Sequence, residues 1–205
     1  MKAWHFVRDD KRLGYGDNRI VKVGRTHKVK GEPVLCNHGL HASVRLIDAM
    51  DHASSSILTR VELGGVIIRG DDKVVATERT VLWMGDISDL LHKFACDEAE
   101  RALKARKVTD KRAWNAIKTK RLWLQGKATD VELAAARAAA RAAAWDATRA
   151  AARAAAWDAA WDAARDAARA AAWDAARDAA RAAAWDAQNR RLTARVNRLI
   201  SNGGR

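Results

Sequence analysis

The chain is poor in the features from which function is usually read. It has two cysteines, Cys36 and Cys96, in 205 residues, too few for a disulfide framework. No stretch approaches the run of about eighteen uncharged apolar residues that a membrane span needs, because Arg or Asp interrupts even the alanine tract every few positions. The opening residues, Met1-Lys2-Ala3-Trp4-His5-Phe6, lack the apolar run of a secretory signal, so the expected compartment is the cytoplasm. Walker, GxGxxG, GxSxG and HExxH motifs are all missing, which removes the common handles for nucleotide, hydrolase and zinc-protease chemistry.

Positive charge is abundant. The formal net charge is +13 and the pI is about 10.3, which admits an anionic partner: nucleic acid, an acidic protein or anionic lipid. Hydrophobic residues make up 49%, but many are alanines of one tract. Alanine buries too little surface to build a core, so the core must lie upstream.

The first part reads as strands separated by turns. Ala3 to Val7, Arg19 to Val23, Pro33 to Cys36, Ile57 to Leu63, Val66 to Arg69 and Thr80 to Trp83 are rich in β-branched residues. The segments 14–18, 30–33, Gly64-Gly65 and Gly70-Asp71-Asp72 supply turn chemistry. Val44 to His52 reads as helix, and strands around few helices imply an α+β fold.

After Trp83 the pattern turns helical. Ser88 is the expected N-cap of a helix from Asp89 to about Lys107, and a second helix runs from Asp110 to Gln125 with Gly126 as its stop. Thr129-Asp130-Val131-Glu132 has the spacing of a capping box for a third helix reaching Ile200. The expected division is an α+β domain over 1–96, a helical connector over 97–129 and a long Ala-rich helix over 130–205.

Within that helix, bulky residues fall at nearly every fourth position among alanines: Arg137, Arg141, Trp145, Arg149, Arg153, Trp157, Trp161, Arg165, Arg169, Trp173, Arg177, Arg181 and Trp185. Neither Gly nor Pro interrupts the run, so helix is expected throughout. Four residues turn the chain by about 400°, so the ladder winds about 40° per rung, too fast for either coiled-coil seam. Arg141 with Trp145 and Arg181 with Trp185 are spaced for cation–π contact, and Asp146 with Arg149 for an ion pair. These contacts could sustain a solvated single helix, or the ladder could be a binding surface.

Cys36-Asn37-His38-Gly39-Leu40-His41 is the densest group of potential metal ligands, with His92 and Cys96 as distant candidates. No second ligand pair accompanies it, so a turn with ordinarily hydrogen-bonded histidines is expected and no metal.

Trp4-His5-Phe6-Val7, Leu35 through Ser43 with Asp48-Ala49, Val61-Glu62-Leu63-Gly64-Gly65 and Asp72 through Thr77 resemble an uncharacterised domain family of phages and bacteria over about residues 1–95. Lys111 through Ile117, Trp123 through Thr129 and Glu132-Leu133-Ala134 resemble a module that precedes alanine-rich helices in phage proteins and in an immunity protein family. These resemblances imply a phage or prophage origin and the cytoplasm of a bacterial host. The order of a first-strand His, a Gly-Leu-His-Ala-Ser segment, a Val-Glu-Leu-Gly strand and a late Thr-Glu-Arg-Thr is similar to the layout of ADP-ribosyltransferases. That likeness implies NAD as cofactor, His5 holding its ribose and Glu78 orienting the nucleophile or stabilising an oxocarbenium ion. Phe6 stands where those enzymes usually have Gly.

Three functions are therefore expected to compete. The first is a non-catalytic accessory or host-interaction protein that needs no cofactor and binds a macromolecule through the ladder. Its partner is a protein, since Asp beside the Arg rungs repels phosphate; nucleic acid is the alternative. The second is an ADP-ribosyltransferase-like enzyme, and the third a spacer or oligomerisation rod, with the oligomeric state open.

Overall fold

The structure is a computed structural model and describes the backbone of residues 1–162 and 166–203, with side chains described outside 151–179. The chain forms two compact units: Met1–Leu90 together with the stretch beginning at Trp185, and Leu91–Ala184.

The first unit is an antiparallel sheet with a short helix and the C-terminal part of a long one. Its strands are β1 (Lys2–Val7), β4 (Thr26–Lys28), β5 (Leu40–Ala42), β6 (Ile57–Arg69) and β7 (Val74–Asp86), ordered β1-β6-β7-β4 with β5 also on β7. A small hairpin, β2 (Arg12–Gly14) and β3 (Asp17–Ile20), stands apart from it. The backbones of Trp4 and Ser43 exchange two hydrogen bonds of 2.8 Å, which ties the end of β5 back to β1 and curls the sheet on itself. Small and branched side chains fill the curl: Ala3, Ala42, Val61, Leu63, Val74 and Ala76 form one buried cluster. Val7, Val21 and Val81 form another.

The paired long strands β6 and β7 correct one expectation. Gly64-Gly65 does not reverse the chain; it is a bulge within a single 13-residue strand. Gly65 has φ +67° and a Cβ there would meet the Thr77 hydroxyl at 2.1 Å, so the residue must be glycine. Glycine inside a strand pattern marks a bulge as readily as a turn. The true reversal is at 70–73, closed by Gly70 N–H donating to Lys73 O at 2.8 Å. Pro33 to Cys36 is also not a strand: it turns, with Cys36 at φ +62° and a lone bridge from Val34 to His38. Strands β4 and β5 are too short to leave a periodic signal and were not expected.

Two helices open on side-chain caps, at Asp110 and Thr129, whereas Ser88, expected as an N-cap, is itself the first residue of its helix and gives its N–H to Asp86 at 2.8 Å. Helix α1 is Leu46–Asp51, α2 Ser88–Ala105, α3 Lys111–Trp123, α4 Asp130–Asp162 and α5 Asp166–Ser201. The capping box opening α4 is complete: Thr129 N–H donates to the Glu132 carboxylate at 2.7 Å and Glu132 N–H to the Thr129 hydroxyl at 3.2 Å. Asp110 caps α3 by accepting from Arg112 N–H at 2.8 Å. The α+β class is thus the observed one, with a sheet followed by helices. Residues 163–165, where the expected continuous helix would pass from α4 to α5, lie outside the described residues.

In the second unit α3 and α4 form an antiparallel hairpin. Trp123 Nε1 donates to Asp130 at 2.7 Å near the connection, and Arg112 reaches Asp146 at 3.1 Å at the other end. Among the described side chains of α4, Leu133, Ala136 and Ala143 are buried, spaced three and seven apart, and alanine lets the helices approach closely. Arg121 of α3 holds Asp97 and Glu100 of α2 at 2.8 and 2.6 Å. A groove of about 640 Å³ is lined by Glu100, Lys111, Trp114, Ile117, Arg121 and Leu122.

Candidate functional site

The ladder begins on the face of α4 that α3 leaves open. Taking the buried seam of Leu133, Ala136 and Ala143 as reference, a rotation of about 100° per residue carries Arg137, Arg141, Trp145 and Arg149 progressively round to the far side of the helix. All four are exposed. Trp145 keeps 62% of its surface in solvent, an unusual state for the largest apolar side chain. The Arg149 guanidinium lies 5.5 Å from its ring centroid.

That contact runs the other way from the expected Arg141 pair. Helix side chains lean toward the N-terminus, so the long Arg149 reaches back over the indole while Arg141 leans away from it. Asp146, expected to pair with Arg149, makes its ion pair with Arg112 of α3. Arg153, Trp157, Trp161, Arg169, Trp173 and Arg177 fall in the stretch whose side chains are outside the described residues, and Arg165 is one of 163–165.

The last rung, Trp185, belongs to the first unit. Arg181 is exposed, and Trp185 Nε1 donates to Asp48 Oδ1 at 3.2 Å. Asp48 is buried in α1. Arg45, just before α1, approaches Asp186 at 2.7 Å, off the line of an N–H, so this is an ion pair and not a directed hydrogen bond. Helix α1 has no side-chain cap of its own. The Ile47 N–H, which has no acceptor within the helix, is instead taken by Asn189 Oδ1 of α5 at 3.1 Å, supplying from a distant element what a local N-cap would give. Leu192 and Val196, one and two turns further on, are fully buried. At about 1.5–3 kcal/mol each, their burial outweighs the polar contacts at this junction. Nothing in the alanine tract announced this docking; the signal was the apolar spacing of Leu192, Val196, Leu199 and Ile200.

The pair implied by the ADP-ribosyltransferase likeness is not brought together. His5 on β1 stands opposite Thr59 of β6, on the face shared with Ala3, Val61 and Leu63. Glu78 on β7 stands opposite Gly64, the next position along from Leu63 opposite Arg79, so its side chain leaves from the other face. It is half-exposed and paired with Lys28 at 2.7 Å. His5 is held well below the ordinary imidazole range, chiefly by burial and then by the fields of Arg79 and His41.

The Cys36 to His41 segment makes ordinary hydrogen bonds. His41 Nε2 accepts from Cys36 N–H at 3.0 Å and His38 Nε2 bonds Lys30 O at 2.7 Å. Among the described residues no group of three or more His, Cys, Asp or Glu side chains could hold a metal. None of the helices described there is long and apolar enough to cross a membrane.

Residues 1–93 match the family of a domain of unknown function, DUF7666. No curated protein and no solved structure matches the chain. The match therefore covers the sheet, α1 and the start of α2, and leaves the α5 segment that packs on them outside it.

Proposed function

We propose that the protein is a non-catalytic accessory protein that binds a macromolecular partner, a protein, through the Arg and Trp rungs of its alanine-rich helix, with the α+β domain as scaffold. The observation that carries this is Trp145. A solvated helix has no need of an indole, yet this one is exposed on the side of α4 away from α3, under the Arg149 guanidinium, with Arg137 and Arg141 exposed on the preceding turns. An aromatic body flanked by cations is the composition of an interface anchor, since Trp and Arg dominate binding energy where they are desolvated by a partner. Asp146 beside the rungs disfavours a polyphosphate partner and suits a protein of mixed acidic and apolar surface. The setting we propose, a phage or prophage accessory protein in the bacterial cytoplasm, rests on the sequence resemblances of both halves.

The test compares the wild-type chain with a Trp145→Ala, Arg149→Ala variant immobilised against lysate of a bacterial host. A protein retained by the first and lost by the second supports the proposal, and equal retention by both overturns it. Fluorescence anisotropy with single- and double-stranded DNA at low salt separates the alternative, because saturable binding that falls steeply with salt moves the partner to nucleic acid.

A further inference from the structure

The curled sheet holds a cation inside it with no carboxylate paired to it among the described residues. Arg79 of β7 is 3% exposed and stands between Leu63 of β6 and His27 of β4. Its Nη1 donates to His41 O at 2.6 Å, while its buried Nε has no hydrogen-bond partner among the described residues. His27 is 1% exposed; its Nε2 bonds Ile20 O at 3.1 Å, and its Nδ1 has no partner either. His5 belongs to the same face and keeps some surface in solvent. The acid whose field reaches Arg79 is Asp17, but Arg19 already grips both Asp17 oxygens, at 3.0 and 2.6 Å. Burial lowers Arg79 only to about 10, so it is a cation at neutral pH. Removing a lone cation from water is costly unless an anion joins it, and two orphaned polar atoms on cross-strand neighbours mark where that anion would sit.

We propose that Arg79, with His27 and His5 beside it, binds a small oxyanion of the phosphate or carboxylate class. The carbonyl on Nη1 leaves the Nε edge of the guanidinium, one of the edges on which an oxyanion is held side-on by two parallel N–H bonds. Since His27 gives its Nε2–H to a carbonyl, its Nδ1 can donate only after protonation. Binding is therefore coupled to proton uptake and weakens as pH rises. The charged groups around His27 are Arg79, Arg19, Arg25 and Asp17, a net positive set that an anion would balance. Access is from the His5 side. The site is independent of the ladder and of the partner proposed for it.

The test uses the full chain and follows the histidine imidazole resonances by NMR while inorganic phosphate, acetate and chloride are added separately. The expected result is a saturable shift of His5 and His27 with phosphate or acetate, accompanied by a rise in their titration midpoints. Phosphate or acetate, whichever binds tighter, identifies the source; chloride alone producing the shift excludes an oxyanion site. Arg79→Lys keeps the charge without the side-on edge and weakens binding about tenfold or more. Asp17→Asn removes the competing field and tightens binding. No saturable shift in the wild type overturns the proposal and leaves a water on Nε as the explanation. Undiminished binding in Arg79→Lys, or weaker binding in Asp17→Asn, overturns it too, and because the wild-type titration is decisive, a misfolded variant does not protect it.

Discussion

Two glycines of the first unit show how differently its backbone is constrained from place to place. Gly65, at φ +67° with the Thr77 hydroxyl 2.1 Å from where a Cβ would be, has no room for a side chain, whereas Gly16 at φ +84° has nothing within 4 Å. Gly65→Ala should therefore cost about 2–3 kcal/mol and Gly16→Ala about 1. Urea denaturation should show the larger fall in midpoint for the first. Titration is a second probe at this scale. His5, His27 and His41 are all pulled below the ordinary imidazole value, each first of all by burial. A histidine whose folded pKa lies below its unfolded value stabilises the fold fully above the unfolded pKa, near 6.5, and loses that contribution as pH falls below it. The thermal midpoint should accordingly drop between about pH 6.5 and 5, ahead of the carboxylate range. Replacing His27 with Asn should flatten that drop.

Helix α5 illustrates what an element's ends decide. Its Asn189 caps α1 and its Leu192 and Val196 are buried without residue, so Leu192→Ala should cost about 2–5 kcal/mol as a core truncation. Asn189→Ala should cost about 1 kcal/mol, as loss of a cap does, and raise amide exchange at Ile47. The helices were the most legible part of the sequence. The capping box at Thr129 and the stop at Gly126 are local signals, and the structure realises them atom by atom. Strands β6 and β7 were legible as apolar runs, but Gly64-Gly65 carried the same local signal as a turn, and only cross-strand pairing shows it to be a bulge. Short strands such as β4 owe their existence to partners far along the chain. For the same reason the burial of Arg79 could not be read from Thr77-Glu78-Arg79-Thr80. A polar run of that kind describes a solvated strand until the neighbouring strands and the curl of the sheet are known.

The whole molecule is a fold that its own chain leaves and rejoins. Residues up to Leu90 and those from Trp185 belong to one compact unit, and the stretch between belongs to the other. Both ends of the alanine-rich excursion are thereby fastened to the same body. The described part of that stretch is mostly helix, so the gentle length dependence of a flexible loop does not apply to it. Each residue added to a helix advances it by about 1.5 Å and 100°. A change in repeat number is therefore tolerated only where Asn189, Leu192 and Val196 still reach their places against α1 and the sheet. A protease cut inside the tract should leave two fragments that migrate together on gel filtration, held by Leu192 and Val196, and that part only when denatured.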